Sequence, residues 1–101
     1  MKLTKIFESS NLNWIEDKER NELFLRSRLH YLNLLFKEYG IISIARAYEE
    51  IGYPRTKESC LFGWNIDDGD CGIRAEIEPI DGTSDFLITF DANLLFRPWE
   101  R

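Results

Sequence analysis

Hydrophobic positions along the chain change their spacing once, near residue 60. Through the middle of the chain, up to that point, they step by three and four. Leu25, Leu29, Leu32, Phe36 and Tyr39 form one stripe at helical spacing, Phe24, Tyr31 and Leu35 widen it, and Leu34 falls away. This predicts a long helix from about Asn13 or Asp17 to Tyr39. Glu16, Asp17, Glu19 and Glu22 occupy its first turns and Lys37 its last, as the helix dipole favours, and Gly40 supplies the C-cap. Ser43 is placed to cap a second, short helix in which Ile44, Ala47, Tyr48 and Ile51 share a face. Gly52 closes that helix, and Pro54 keeps Tyr53 out of helical conformation.

From Cys60 the period is two. Leu61-Phe62-Gly63-Trp64-Asn65-Ile66 reads as a strand interrupted by a glycine bulge. Ile73, Ala75 and Ile77 alternate with Arg74, Glu76 and Glu78, the signature of a strand with one wet face. Residues 80–85 carry the Asp-Gly pair of a hairpin connection, and Phe86, Ile88 and Phe90 then alternate with Leu87, Thr89 and Asp91. Lys2 to Phe7 alternate weakly, as a short strand or a docked arm, and Glu8-Ser9-Ser10-Asn11 reads as a turn. Leu94, Leu95, Phe96 and Trp99 imply a tail that packs back on the core. The expected fold class is α+β: one long and one short N-terminal helix, then a small antiparallel sheet of about three strands. A chain of 101 residues is the usual size of one domain, here 1–101, with a helical half of about 13–52 and a β half of about 60–99.

Composition narrows the setting. The apolar stretches Tyr31 to Phe36 and Ile41 to Ala45 fall far short of the ~20 residues a membrane span needs. Glu8 ends the first apolar run before a signal-peptide core could form, so a cytoplasmic protein is expected. Cys60 and Cys71 form no C-x-x-C motif and read as reduced thiols. Net charge is −5, unevenly spread. Residues 1–66 hold ten Lys/Arg against nine Asp/Glu, a net of +1, whereas residues 67–101 hold three against nine, a net of −6. That sign opposes phosphate binding and suits a basic protein surface.

Catalytic chemistry finds no foothold in the motifs. His30 is the only histidine, lies mid-helix, and has no neighbouring nucleophile or orienting acid in sequence. No nucleophile elbow, P-loop, zincin or dinucleotide motif occurs. Cys60, Cys71 and His30 lack a recognised zinc spacing. Laid on a calcium loop from Asp67, the chain offers Gly72 at position 6 and Glu78 at position 12, but Gly69 and Cys71 stand at positions 3 and 5 where side-chain ligands belong. A non-enzymatic protein with no cofactor or metal is expected. Arg20, Arg26, Arg28 and Arg46, with the turn at 40–43, allow a helix-turn-helix DNA-binding regulator, but Glu49 and Glu50 flank Arg46 on the would-be recognition helix. The remaining candidate is the acidic third: Asp67, Asp68, Asp70, Glu76, Glu78, Asp81 and Asp85. Glu76 and Glu78 share one strand face roughly 6.6 Å apart at strand rise. Such an array either imitates spaced phosphates before a basic partner or merely keeps a sheet face wet.

The run Tyr39-Gly40-Ile41-Ile42-Ser43 leading into a short helix with Tyr48, then Gly52-Tyr53-Pro54, Gly63-Trp64 and a closing hairpin, resembles a pattern of small phage and prophage proteins of unknown function. The resemblance covers about residues 29–98 and rests on caps, turns and core positions, so it carries over no functional residue. The acidic loop at 67–70 and the ending Phe96-Arg97-Pro98-Trp99 depart from it. It implies a phage or mobile-element protein that binds a host protein in the host cytoplasm. An anti-CRISPR-like inhibitor is one such class, its partner a CRISPR nuclease effector such as Cas9 whose nucleic-acid site is lined with Arg and Lys. The alternative is an accessory or assembly protein that binds a protein partner through apolar patches such as Trp14, Trp64 or Trp99.

Overall fold

The structure is a computed structural model and describes residues 1–95. In chain order the elements are β1 (Lys2–Phe7), α1 (Lys18–Tyr39), β2 (Ile41–Ser43), α2 (Ile44–Ile51), α3 (Lys57–Leu61) and β3 (Phe62–Asn65). A 3₁₀ turn (Ile66–Asp68), β4 (Ala75–Pro79), β5 (Phe86–Asp91) and β6 (Asn93–Leu94) complete it. The expected α+β class holds, and the sheet count changes. There are two three-stranded antiparallel sheets, ordered β1-β5-β4 and β2-β3-β6. The chain passes from the first sheet to the second through the single buried residue Ala92.

The helices follow their local signals. Asp17 starts α1, its carboxylate accepting from the Arg20 N–H at 3.2 Å, and Gly40 ends it in the left-handed region at φ +76. Of the expected stripe, Leu25, Leu32 and Phe36 are buried and Leu29 packs partly against the core, but Tyr39 is 69% exposed. The periodicity runs on past the last residue the sheets can cover. Ser43 caps α2, accepting from the Arg46 N–H at 3.2 Å, and Gly52 ends it. The link ahead of α2 is not a bare turn, because Ile41, Ile42 and Ser43 pair with Asn65, Trp64 and Gly63 as β2.

Two further expectations are corrected. Cys60 and Leu61 belong to α3, not to a strand; Thr56 and Ser59 cap each other's N–H groups and start a helix too short to show a period. Gly63 is no bulge. It pairs in register with Ser43 on one side and Asn93 on the other, and it is glycine because a Cβ there would stand 2.1 Å from the Ile42 carbonyl oxygen. The tail contacts expected of Phe96 and Trp99, and the end of the β half, lie outside the described residues.

The core lies between α1, α2 and the inner faces of both sheets. Leu3 and Phe7 of β1 meet Phe90 and Phe86 of β5 across the ladder, and Ile88 lies between them. The Phe90 ring contacts Tyr48 from α2 and Trp64 from β3 with centroids 6.0 and 6.2 Å apart, so one side chain touches α2 and both sheets. Lys5 also turns inward, its Nζ 5.1 and 5.5 Å from the Tyr48 and Tyr53 ring centroids. The Tyr53 hydroxyl donates to the Ile6 carbonyl at 2.9 Å, and burial above all pushes its pKa up to about 12, so it stays a donor at ordinary pH. Buried Asn21 fastens the hairpin turn to α1: its Nδ2 donates to the Ile15 and Ser84 carbonyls and its Oδ1 accepts from the Ile15 N–H.

Candidate interaction surface

The seven acidic residues singled out from the sequence do not form one patch. Asp67 and Asp68 are exposed on the 3₁₀ turn at the end of β3, which Asn65 caps by accepting from the Asp67 N–H at 3.0 Å. Asp81 is exposed in the hairpin turn, where Gly82 takes φ +77. Asp85 lies instead in a shallow depression shared with Ser9, Trp14, Glu16 and residues 82–84.

Asp70 is the exception, and it corrects the expectation of a surface ligand. It is only 5% exposed. Its Oδ2 accepts from the Asn65 N–H at 2.8 Å, and its Oδ1 from Arg74 Nη1 at 2.5 Å and Asn93 Nδ2 at 3.3 Å. The carboxylate therefore completes β3 on the side where β6, paired only with Phe62 and Gly63, does not reach Asn65, and it ties that strand to β6 and to the approach to β4. Burial alone would raise its pKa. The bonds from Arg74, the Asn65 amide and Asn93, with the Arg74 charge, outweigh it and hold Asp70 below the usual carboxylate range. Because the folded form binds its proton less readily than the unfolded one, the stability Asp70 contributes is whole above the ordinary value of 3.8. It is lost as pH falls through the lower folded value. Asp70→Asn is expected to cost about 2 kcal/mol near pH 7, the range for a charged hydrogen bond left unmade. The gap between variant and parent melting temperatures should narrow as pH falls below 3.8; a gap that stays the same size down the whole acid range would contradict this role.

Glu76 and Glu78 behave as the alternation predicts. Both are exposed on the outer face of the first sheet, opposite Thr89 and Leu87 of β5, which in turn oppose Thr4 and Ile6 of β1. Thr4, Ile6, Glu76 and Glu78 are all exposed, so no helix among the described residues covers this face. β4 is the sheet edge, so the two carboxylates form a rim beside a centre of Thr4, Ile6, Leu87 and Thr89, with Ile6 46% exposed. Among the described residues neither carboxylate has an ion-pair or hydrogen-bond partner. Asp91, which the sequence did not single out, ends the central strand opposite Lys2, and both line one shallow depression with Glu76 and Arg74. Asp91 is already compensated, with Arg74 Nε and the N-terminal amine each 4.0 Å away. The acidic charge left open on this face is therefore concentrated at Glu76 and Glu78.

The basic candidates are engaged within the chain. Arg20 pairs with Asp17 and Arg26 with Glu22, and Arg28 and Arg46 converge on Glu50 from two helices. Five of the eight α2 residues are buried, so little of that helix is left to face a DNA groove. His30 is exposed on α1, and Cys60 and Cys71 are exposed free thiols. No group of three or more His, Cys, Asp or Glu among the described residues is placed to hold a metal ion. No helix among them is long and apolar enough to cross a membrane. Trp64 is fully buried and so does not offer the apolar patch expected of it, whereas Trp14 packs partly on the core and partly lines the depression beside Asp85. One group of exposed apolar residues lies at the C-terminal end of α1. Tyr39 and Ile41 are exposed on either side of Gly40, and the exposed Ile66 contacts that glycine. The sequence signal for it is an apolar pair straddling a helix-ending glycine.

No curated protein and no solved structure matches the chain. Residues 2–94, from the first residue of β1 to the last of β6, match a family model described as "Family of unknown function (DUF6353)". The chain belongs to that family.

Proposed function

We propose that this chain is a non-enzymatic binding protein that docks a basic partner surface with the outer face of its first sheet, using Glu76 and Glu78 as the charged rim. The observation that carries the reading is their availability. Arg74 holds Asp70 and neutralises Asp91, whereas the two glutamates stand unpaired at the edge of an uncovered face. Unpaired carboxylates at strand spacing lose little solvation when they meet lysine or arginine at the border of an interface, and they steer association more than they add affinity. Thr4, Thr89, Ile6 and Leu87 give the face a centre of mixed polarity, as transient interfaces have. Asp67, Asp68 and Asp81 add long-range attraction from the ends.

In its finer form, the partner is a host defence nuclease of the CRISPR type and the chain a phage or mobile-element inhibitor. The phage-like pattern at 39–64 and the wrong charge for direct nucleic-acid binding favour this form. The test is capture of the effector from host lysate by the purified chain, alone and as the double reversal Glu76→Lys/Glu78→Lys with its fold checked by circular dichroism. The reversal should slow association at least about tenfold at low salt, and the difference should shrink toward 1 M salt, where screening acts within ~3 Å. Unchanged capture and inhibition by a folded reversal would remove the sheet face from consideration.

A further inference from the structure

We infer that the unpaired edge of β2 is a strand-addition site for an extended segment of another protein, one carrying apolar side chains at alternate positions and a carboxylate toward Arg46. This site is separate from the acidic sheet face and does not depend on it. A groove of about 450 Å³ is lined by Tyr31, Leu35 and Tyr39 of α1, all three residues of β2, and Arg46. Successive strand side chains point to opposite faces of a sheet. A groove that touches Ile41, Ile42 and Ser43 and no residue of β3 therefore runs along the strand's free edge.

The ladder shows which backbone groups face that edge. The Ile66 N–H donates to the Gly40 carbonyl at 2.8 Å, so in the antiparallel alternation Ile42 and Trp64 are the next pair to exchange bonds. Ser43 and Gly63 form the close, unbonded kind of pair, in keeping with a glycine Cβ position only 2.8 Å from the Ser43 Cα. Ile41 thus directs its N–H and C=O away from β3, and Ser43 directs its N–H the same way. The Ser43 C=O is committed to the first turn of α2, which Ser43 caps. A peptide residue opposite Ile41 would exchange two hydrogen bonds with it and offer a carbonyl to Ser43.

Side chains and charge select the occupant. Tyr31, Tyr39 and Ile41 are 38%, 69% and 47% exposed and form an apolar wall that an incoming strand's alternate side chains would cover. At the α2 end, Arg46 and Arg28 share one carboxylate: Arg46 Nη2 is 3.2 Å and Arg28 Nη1 3.4 Å from Glu50. The Arg28 guanidinium lies 5.6 Å from the Tyr31 ring centroid, beside the groove wall. Two guanidiniums against one carboxylate leave an uncompensated positive charge in a chain of net −5. Glu38, three residues past Leu35 on α1, does not line the groove. An acidic residue or a chain-terminal carboxylate is the complement of that charge.

The experiment selects a random octapeptide library on the full chain, then titrates the best peptide into the ¹⁵N-labelled protein. We expect enrichment of alternating apolar residues with Asp or Glu at one end, and saturable shifts of the Ile41 and Ser43 amides. N-methylation of the peptide backbone should weaken binding at least tenfold. Arg46→Glu, which leaves Tyr31, Leu35, Tyr39 and the β2 edge in place, should exchange the acidic preference for a basic one. Tyr39→Ser should weaken all peptides while both variants keep the parent spectrum elsewhere. A library that yields no enrichment, an N-methylated peptide that binds equally, or shifts confined to the first sheet would overturn the proposal. So would a concentration-dependent dimer abolished by Tyr39→Ser, which would make a second copy of the chain the occupant.

Discussion

Truncating Trp64 to alanine is expected to cost about 4 kcal/mol, in the range for large aromatic side chains removed from a core. The indole is fully buried and is the largest such side chain among the described residues. It also carries a bond no aliphatic residue could replace, its Nε1 donating to the Asp91 carbonyl at 2.9 Å. Asp91 ends the central strand of the first sheet and Trp64 lies in the central strand of the second, so this one contact joins them. Removing the indole leaves both a cavity beside Phe90 and an orphaned carbonyl. The surrounding elements are short, yet two ladders hold them apart, so collapse into the void is limited. Domains of this size have about 5–15 kcal/mol in all, and the variant should lie close to the unfolding threshold. Urea melts followed by circular dichroism measure the loss. Trp64→Phe, which keeps most of the volume and forfeits the bond, should fall between variant and parent. A Trp64→Ala chain within about 1 kcal/mol of the parent would mean that the indole does not join the sheets.

Adding one methyl group at Gly63 is expected to be nearly as damaging, at about 3 kcal/mol or more. The new Cβ would stand 2.1 Å from the Ile42 carbonyl oxygen, 2.8 Å from the Ser43 Cα and 2.7 Å from Leu95 Cδ1. The leucine can swing aside. The two backbone atoms can retreat only if β2 separates from β3, and β2 is the strand from which Ser43 launches α2. The control is Gly69→Ala, where nothing lies within 4 Å of the added atom and the cost comes only from φ +92, about 1 kcal/mol. Equal melting temperatures for the two variants would contradict the register that pairs Gly63 with Ser43.

What could be read from the sequence follows from how local each signal is. Both longer helices announce themselves through caps within four residues of their ends, at Asp17 and Gly40, and at Ser43 and Gly52. The alternation that exposes Glu76 and Glu78 is equally local. Pairing is not. Nothing near Leu3 says that its partner is Phe90, so the second sheet and the recruitment of β1 stayed hidden. A glycine inside a strand looks the same whether it makes a bulge or a close approach, and only the position of Ile42 distinguishes them at Gly63. Asp70 read as surface because aspartate usually is. The reason it is buried, the free amide of Asn65 at an incomplete edge, exists only after folding. Tyr39 continued a perfect stripe, but a stripe records which way a side chain faces and not how far the sheets beneath it extend.

The pairing of β1 with β5 has a consequence for biosynthesis. β1 finds no partner until residues 86–91 have left the ribosome. At about 5–20 residues per second that interval is roughly 4–16 s, during which Leu3 and Phe7 have no sheet to join. The helices can form meanwhile, but the first sheet depends on the joining of the two ends of the described chain, the slowest kind of contact to make. An emerging chain stalled before residue 86 should therefore remain open to chaperones and proteases, however well its helices have formed.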